Sequence, residues 1–272
     1  MKPGYFLFVV TLVTTTWSIG NAKDSTTSGT RSALDNIESA RPETRITALR
    51  KLWTTWDRRD PQKVEEDLLS AARSPKLEPQ TRVYAGLLAA YARSRRGDVV
   101  TTREAIAKLG FVGRWLVVGP FDDDGKRGFA TEYEPEREFL DDLSLAKSYQ
   151  GKEHPVHWRI VPNDFSFGWL DLGALLRPQK NVCAYTTTFV RADAKRAKHI
   201  SAWVGASGAF KLFLNGELQL EDDHYRGHDV DRFSVDLPLA PGFNAVTLKL
   251  CNDDSAPVIS LRFADIQGNP NA

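Results

Sequence analysis

The residues best able to do chemistry gather in one acidic, histidine-bearing stretch, "EDDHYRGHDVDRF", residues 221–233. Asp222, Asp223, Asp229 and Asp231 are the oxygen donors that a calcium ion would draw on, since calcium takes six to eight oxygens from flexible loops. His224 and His228 stand four apart, a spacing that suits a transition metal only on a helix. Here the stretch lies between two strand-like runs. The competing reading is a solvated connection whose acids pair with Arg226 and Arg232. A second acidic run, Asp122, Asp123 and Asp124, breaks the calcium-loop pattern because Lys126 occupies the fifth position, so it reads as a turn.

No assembled catalytic motif accompanies these residues. The sequence holds no G-x-S-x-G, H-E-x-x-H or phosphate-binding loop. Cys183 opens a strand-like run, away from any helix N-terminus that would activate its thiol. The chain is therefore expected not to be an enzyme and to need no cofactor. A hydrolase with an unrecognised site is the third alternative.

Cys183 and Cys251 are the only cysteines. Val246, Leu248 and Leu250 read as the inward face of their strand, which sends Cys251 outward. Cys183 shares parity with Tyr185 and Phe189, which read as inward. The parity argues against a disulfide unless a bulge intervenes.

A further candidate is aromatic. If Ile200, Ala202 and Val204 point inward with Phe210, Leu212 and Leu214, then Trp203 and Phe213 point outward from neighbouring strands. Such a pair makes a flat platform for sugar rings, or a dock for a helical region. Asn215-Gly216, just after Phe213, fits the positive φ angles of a type I′ hairpin turn, so Asn215 is read as a turn residue before a ligand contact.

These residues need elements to hold them. The 272 residues carry 36 Lys plus Arg and 35 Asp plus Glu, a balance that gives no field for nucleic acid. Residues 1–22 read as a secretory signal. Lys2 is the positive end, Tyr5 to Val13 a short apolar core, and Gly20 and Ala22 the small residues before the cut. Residues 23–31 read as a disordered polar tether. The expectation is an exported protein, periplasmic or extracellular, with no transmembrane segment after cleavage.

From 32 to 112 the apolar period is helical. Ile46, Leu49, Trp53 and Trp56 form one set, and Val64, Leu68 and Ala72 a second. Val83, Leu87 and Tyr91 form a third. Asp60-Pro61 reads as a helix start and Gly110 as a stop. From 113 to 272 about eight short runs alternate as strands, which predicts an all-β sandwich. The fold class is thus α+β, a short helical-hairpin region followed by a jelly-roll sandwich.

The runs "CAYTTTFV", "ISAWVGASGAFKLFLNGEL", "FSVDLPLAPGFNAVTLKLCND" and "ISLRFADIQG" together resemble a galactose-binding-domain-like jelly roll, over roughly residues 182–268. The non-catalytic sugar-binding domains of β-galactosidase-type glycosidases share this run. "WLVVGPFDDDGKRGFATEYEPE" is similar to the lead-in of such modules in exported bacterial proteins that carry helical repeats. The resemblance implies a non-catalytic binding module, with a glycan or an envelope protein as its partner. A structural or protein-interaction module without a small ligand is the alternative.

Overall fold

The computed structural model describes residues 33–138, 143–162, 167–193 and 199–271. The expected signal and tether fall outside them. No described helix is long and apolar enough to cross a membrane.

The helical part comprises α1 (Ala33–Ser39), α2 (Pro42–Thr54), α3 (Pro61–Arg73), α4 (Pro79–Arg95) and α5 (Val99–Lys108). Three of them begin with proline at the first turn, where a missing N–H costs nothing. Asp60 caps α3 by accepting from the Gln62 N–H at 3.0 Å, and Asp98 caps α5 through Thr101 N–H. Ile37, Leu49, Leu52, Val64, Leu68, Ala71, Leu77 and Leu88 fuse α1 to α4 into one core, and Ile106 of α5 packs in a second with Val83 and Leu87 of α4. Gly110 stops the run at φ +84°, as its position after the last periodic residue predicts.

The strands are β1 (Leu116–Asp122), β2 (Ser148–Gln150), β3 (Pro155–His157), β4 (Arg159–Ile160), β5 (Leu170–Asp171) and β6 (Val182–Ala192). Then follow β7 (His199–Ala206), β8 (Ala209–Leu214), β9 (Glu217–Asp222), β10 (Phe233–Pro238), β11 (Gly242–Asn252) and β12 (Val258–Ala264). All pairings are antiparallel. Six strands form one sheet in the order β4-β1-β6-β11-β8-β9, and four form a second, β10-β7-β12-β5. Their inward faces share one core that includes Val117, Val204, Phe210, Leu212, Leu248 and Leu261. The fold is therefore mixed α+β with a two-sheet sandwich. The chain divides from residue 32 onward into one unit that holds helices and sheets together.

Both outward faces of the sandwich carry a cover. Helices α4 and α5 lie against the four-stranded sheet, where Phe111, Phe167 and Val230 join the core of Val83, Leu87 and Ile106. Over the six-stranded sheet lie the segment after β1, the short helix α6 (Glu134–Arg137) and the β2–β3 hairpin. Phe121, Tyr149, Val156, Trp158 and Tyr185 form the core beneath that cover.

The two cysteines pair, against the parity reading. Cys183 and Cys251 are opposite each other in the β6–β11 register and form a disulfide closing a separation of 68 residues. The alternation rule did place Cys183 with Tyr185. The error lay in taking Tyr185 as inward: Tyr185 faces outward and is buried from above. Where both faces of a sheet are covered, apolar character no longer says which face is the core.

Candidate functional site

The Trp203–Phe213 platform does not form. Trp203 lies on β7 in the four-stranded sheet and Phe213 on β8 in the six-stranded one, so the two rings point away from opposite sides of the sandwich. The turn between the strands is an inter-sheet corner. Gly208 sits there at φ +91°, where a β-carbon would stand 2.1 Å from the Cys251 carbonyl. The corner thus requires glycine.

Trp203 takes the docking role. The Arg262 guanidinium lies 4.8 Å above its ring. Gly268 and, beyond it, Pro79 of α4 close over the indole; a β-carbon on Gly268 would be 3.2 Å from Trp203 Cζ2 and 3.7 Å from Pro79. Phe213 is 6 % exposed and is covered by the segment containing Pro135, Leu143 and Trp158.

The calcium candidates do not converge. Asp222 and Asp223 stand together with His224, whose Nδ1 is 2.9 and 2.8 Å from them. Arg226 Nε donates to Asp222 at 3.0 Å. Asp229 pairs with Arg50 of α2 and with Arg232. Asp231 is buried and pairs with Arg262 at 2.7 Å. Arginines thus hold three of the four acids. In the first acidic run, Asp124–Lys126 forms a tight turn, and Lys152 pairs with Asp122 and Asp124. Asp123 is buried and accepts from Tyr225 Oη at 2.7 Å, while burial raises its pKa.

The buried ionisable groups serve the covers. Lys249 on β11 is fully buried and donates to the Phe129 and Thr131 carbonyls and to Glu136, at 3.2, 2.6 and 2.8 Å. Its three protons are thereby satisfied. Burial pulls its pKa down while Glu136 opposes that shift. Tyr185 Oη also donates to Glu136, at 2.6 Å.

Asn215 is likewise structural. It and Gly216 hold φ +49° and +84°, as the type I′ reading requires. Its side chain accepts from Ala245 N–H at 2.8 Å and donates to Asn244 at 3.0 Å. Asn244 accepts from Ala240 N–H and donates to the Ala240 carbonyl. The "NG" and "APGFN" stretches are therefore two halves of one polar staple.

What remains open is one end of the six-stranded sheet's outer face. The row Leu116, Thr187, Thr247, Phe213 and Leu218 crosses five strands in register, with Ile160 opposite Leu116 at the edge. Beyond that row, Phe189 faces outward opposite Ala245, and Arg191 opposite Phe243. Here the cover ends. Ile160, Phe189 and Phe243 are 68 %, 41 % and 65 % exposed, and Arg191 lies 5.9 Å above the Phe243 ring. Diagonal neighbours on an antiparallel pair lie within reach of aromatic side chains, so Phe189 and Phe243 form one strip. The sequence reading placed Phe189 inside. The signal available was the inward parity of Val190 and Val246, which turns both phenylalanines outward.

No family model and no curated protein matches this sequence. Solved structures similar to part of it include a glycosyl hydrolase family 2 member from Bacteroides cellulosilyticus, at 10 % identity and TM-score 0.36 over 57 % of this chain and 20 % of that one. The β-glucuronidase of Faecalibacterium prausnitzii gives 18 % identity and TM-score 0.31, over 52 % and 20 %. The β-glucosidase of Kluyveromyces marxianus in complex with glucose gives 10 % and 0.33, over 55 % and 16 %. The match spans about a fifth or less of each of these chains.

Proposed function

We propose that this protein is an exported, non-catalytic binding module for a glycan, built on a jelly-roll sandwich. The observation that carries the reading is the strip of Phe189, Phe243 and Ile160 left open where the cover over the six-stranded sheet ends. Rigid outward aromatics offer the apolar C–H face of a sugar ring a large contact at low entropic cost. Glu136, Asp231 and Asp123 are buried and held by Lys249, Arg262 and Tyr225. The disulfide supports export, because such bonds persist in oxidising compartments. Cleavage after Ala22 would give a mature chain beginning at Lys23, which N-terminal sequencing reads directly.

The test is retention in native gels cast with soluble polysaccharides. Phe189→Ala with Phe243→Ala should abolish retention and leave the unfolding midpoint nearly unchanged, because both rings are exposed. Full retention by that double variant would refute the strip as the site.

A further inference from the structure

Beside Phe189 runs a groove whose origin is topological. The β1–β6 pairing ends at Leu116 and Thr187. The chain just before β1 belongs to the other sheet: Phe111 bridges to Arg262, and Val112 N–H donates to the Leu261 carbonyl at 2.9 Å. The linker therefore crosses between sheets at the end of the sandwich, and the outer half of β6 continues without it. The opening left between them is lined by Lys108, Arg114, Phe189, Arg191, Phe263 and Asn271.

Three cations and one acid line this groove. Lys108, Arg114 and Arg191 are exposed, and none makes an ion pair among the described residues. Several arginines elsewhere meet a carboxylate, among them Arg50, Arg93, Arg96, Arg232 and Arg262. Glu104 is the one acid lining the groove. Three free cations against one carboxylate, on a chain of net charge +1, mark a local basic site next to an aromatic strip.

We propose that the groove binds an acidic polysaccharide. Its sugar rings lie on Phe189 and Phe243, and its carboxylate or sulfate groups meet Arg191, Arg114 and Lys108. Guanidinium groups suit such anions because their donors match the paired oxygens. This rests on the glycan reading and adds the charge of the ligand.

The experiment uses the mature full chain and a panel of polygalacturonate, alginate, dextran sulfate, a neutral galactan and polyglutamate, read by affinity electrophoresis and calorimetry. The expected result is binding to the acidic glycans at least about tenfold tighter than to the neutral one. It should weaken on raising salt to about 1 M, where the screening length is about 3 Å. Arg191→Gln with Arg114→Gln should lower affinity about tenfold with the unfolding midpoint unchanged, and so should Phe189→Ala with Phe243→Ala. The uronate and sulfate arms identify which anion the site prefers. Binding to the neutral galactan alone would overturn this inference and leave the glycan reading standing. Equal binding of polyglutamate, indifferent to the phenylalanine variants, would overturn both, as would binding to none of the panel.

Discussion

Each sheet of the sandwich carries one fully buried cation on its outward face, Arg262 on the four-stranded sheet and Lys249 on the six-stranded one. Each is answered by an acid from the covering segment, Asp231 and Glu136. The two solutions differ in completeness. Lys249 donates all three protons, and two of its acceptors are carbonyls of the cover itself. Arg262 donates to Asp231 and to the Gly268 carbonyl and stacks on Trp203, but its Nη2 and Asp231 Oδ1 have no partner. An ammonium can be saturated by a single loop, whereas a guanidinium needs a wider ring of acceptors. The cover over the six-stranded sheet is therefore pinned mainly by polar saturation. The cover over the four-stranded sheet is pinned by packing, with ion pairs around it.

That contrast sets the order of expected effects. Lys249→Met takes the nearer cation from Glu136, leaves it Lys211 at 3.6 Å, and leaves two carbonyls without a donor, which should cost about 3 kcal/mol in denaturant unfolding. Adding Glu136→Leu should recover little of that loss, because it also takes the partner of Lys211 and the acceptor of the Tyr185 hydroxyl. A cost below about 1 kcal/mol for the single change would mean that the cover does not depend on Lys249.

Trp203→Ala tests the packed side. Loss of a large ring beneath Pro79, Gly268 and Arg262 should cost about 3 kcal/mol, with glycan retention intact at a permissive temperature. Unchanged stability would mean that the helices do not depend on this ring.

A smaller effect separates the two covers by pH. His228 reaches Ser260 Oγ at 3.0 Å against the four-stranded sheet. Burial pushes its pKa down to about 4, with Asp229 opposing the shift and Arg232 assisting it. The folded value lies below the unfolded value of about 6.5, so the neutral ring is favoured by folding. Its stabilisation is fully present above about pH 6.5 and is lost as pH falls toward about 4. The span is roughly 2 kcal/mol after allowance for partial exposure. The difference in unfolding free energy between wild type and His228→Gln should therefore change across that window and be flat above it. A difference that ignores pH would remove His228 from the ledger of the packed side.

Much of the local structure was legible because single elements follow local rules. Asp60-Pro61 caps a helix, Gly110 ends one, and Asn215-Gly216 turns a hairpin, each through backbone angles or donors that neighbouring residues decide. Burial was legible only where a single core lies on one side. Tyr185 and Cys183 look inward by residue type, yet they, like Phe213 whose parity turns it outward, are buried from outside by residues within 121–138 and 143–158, whose short, irregular elements carry no period to read. The same ambiguity hid Phe189, which type assigns to the core and register assigns to the open strip. The Trp203–Phe213 platform failed for a topological reason, since alternation along a strand cannot say that the next turn changes sheets.

The smallest expected effect belongs to the tip of the β8–β9 hairpin. Gly216 sits at φ +84° at the tip of the β8–β9 turn. A β-carbon there is penalised by about 1 kcal/mol, and a β-branched side chain by more. Gly216→Val should thus lower the unfolding midpoint modestly, well short of the Lys249 loss, and leave glycan retention unchanged. Gly216 lines the crevice under the cover together with Phe213, so the outcome also discriminates between sites. If Gly216→Val abolishes retention at a temperature where the protein is folded, the sugar contacts the covered crevice and not the open strip of Phe189 and Phe243. A loss of stability alone keeps the hairpin in its structural role, where both positive φ angles and the Asn215–Asn244 staple already account for the residues present.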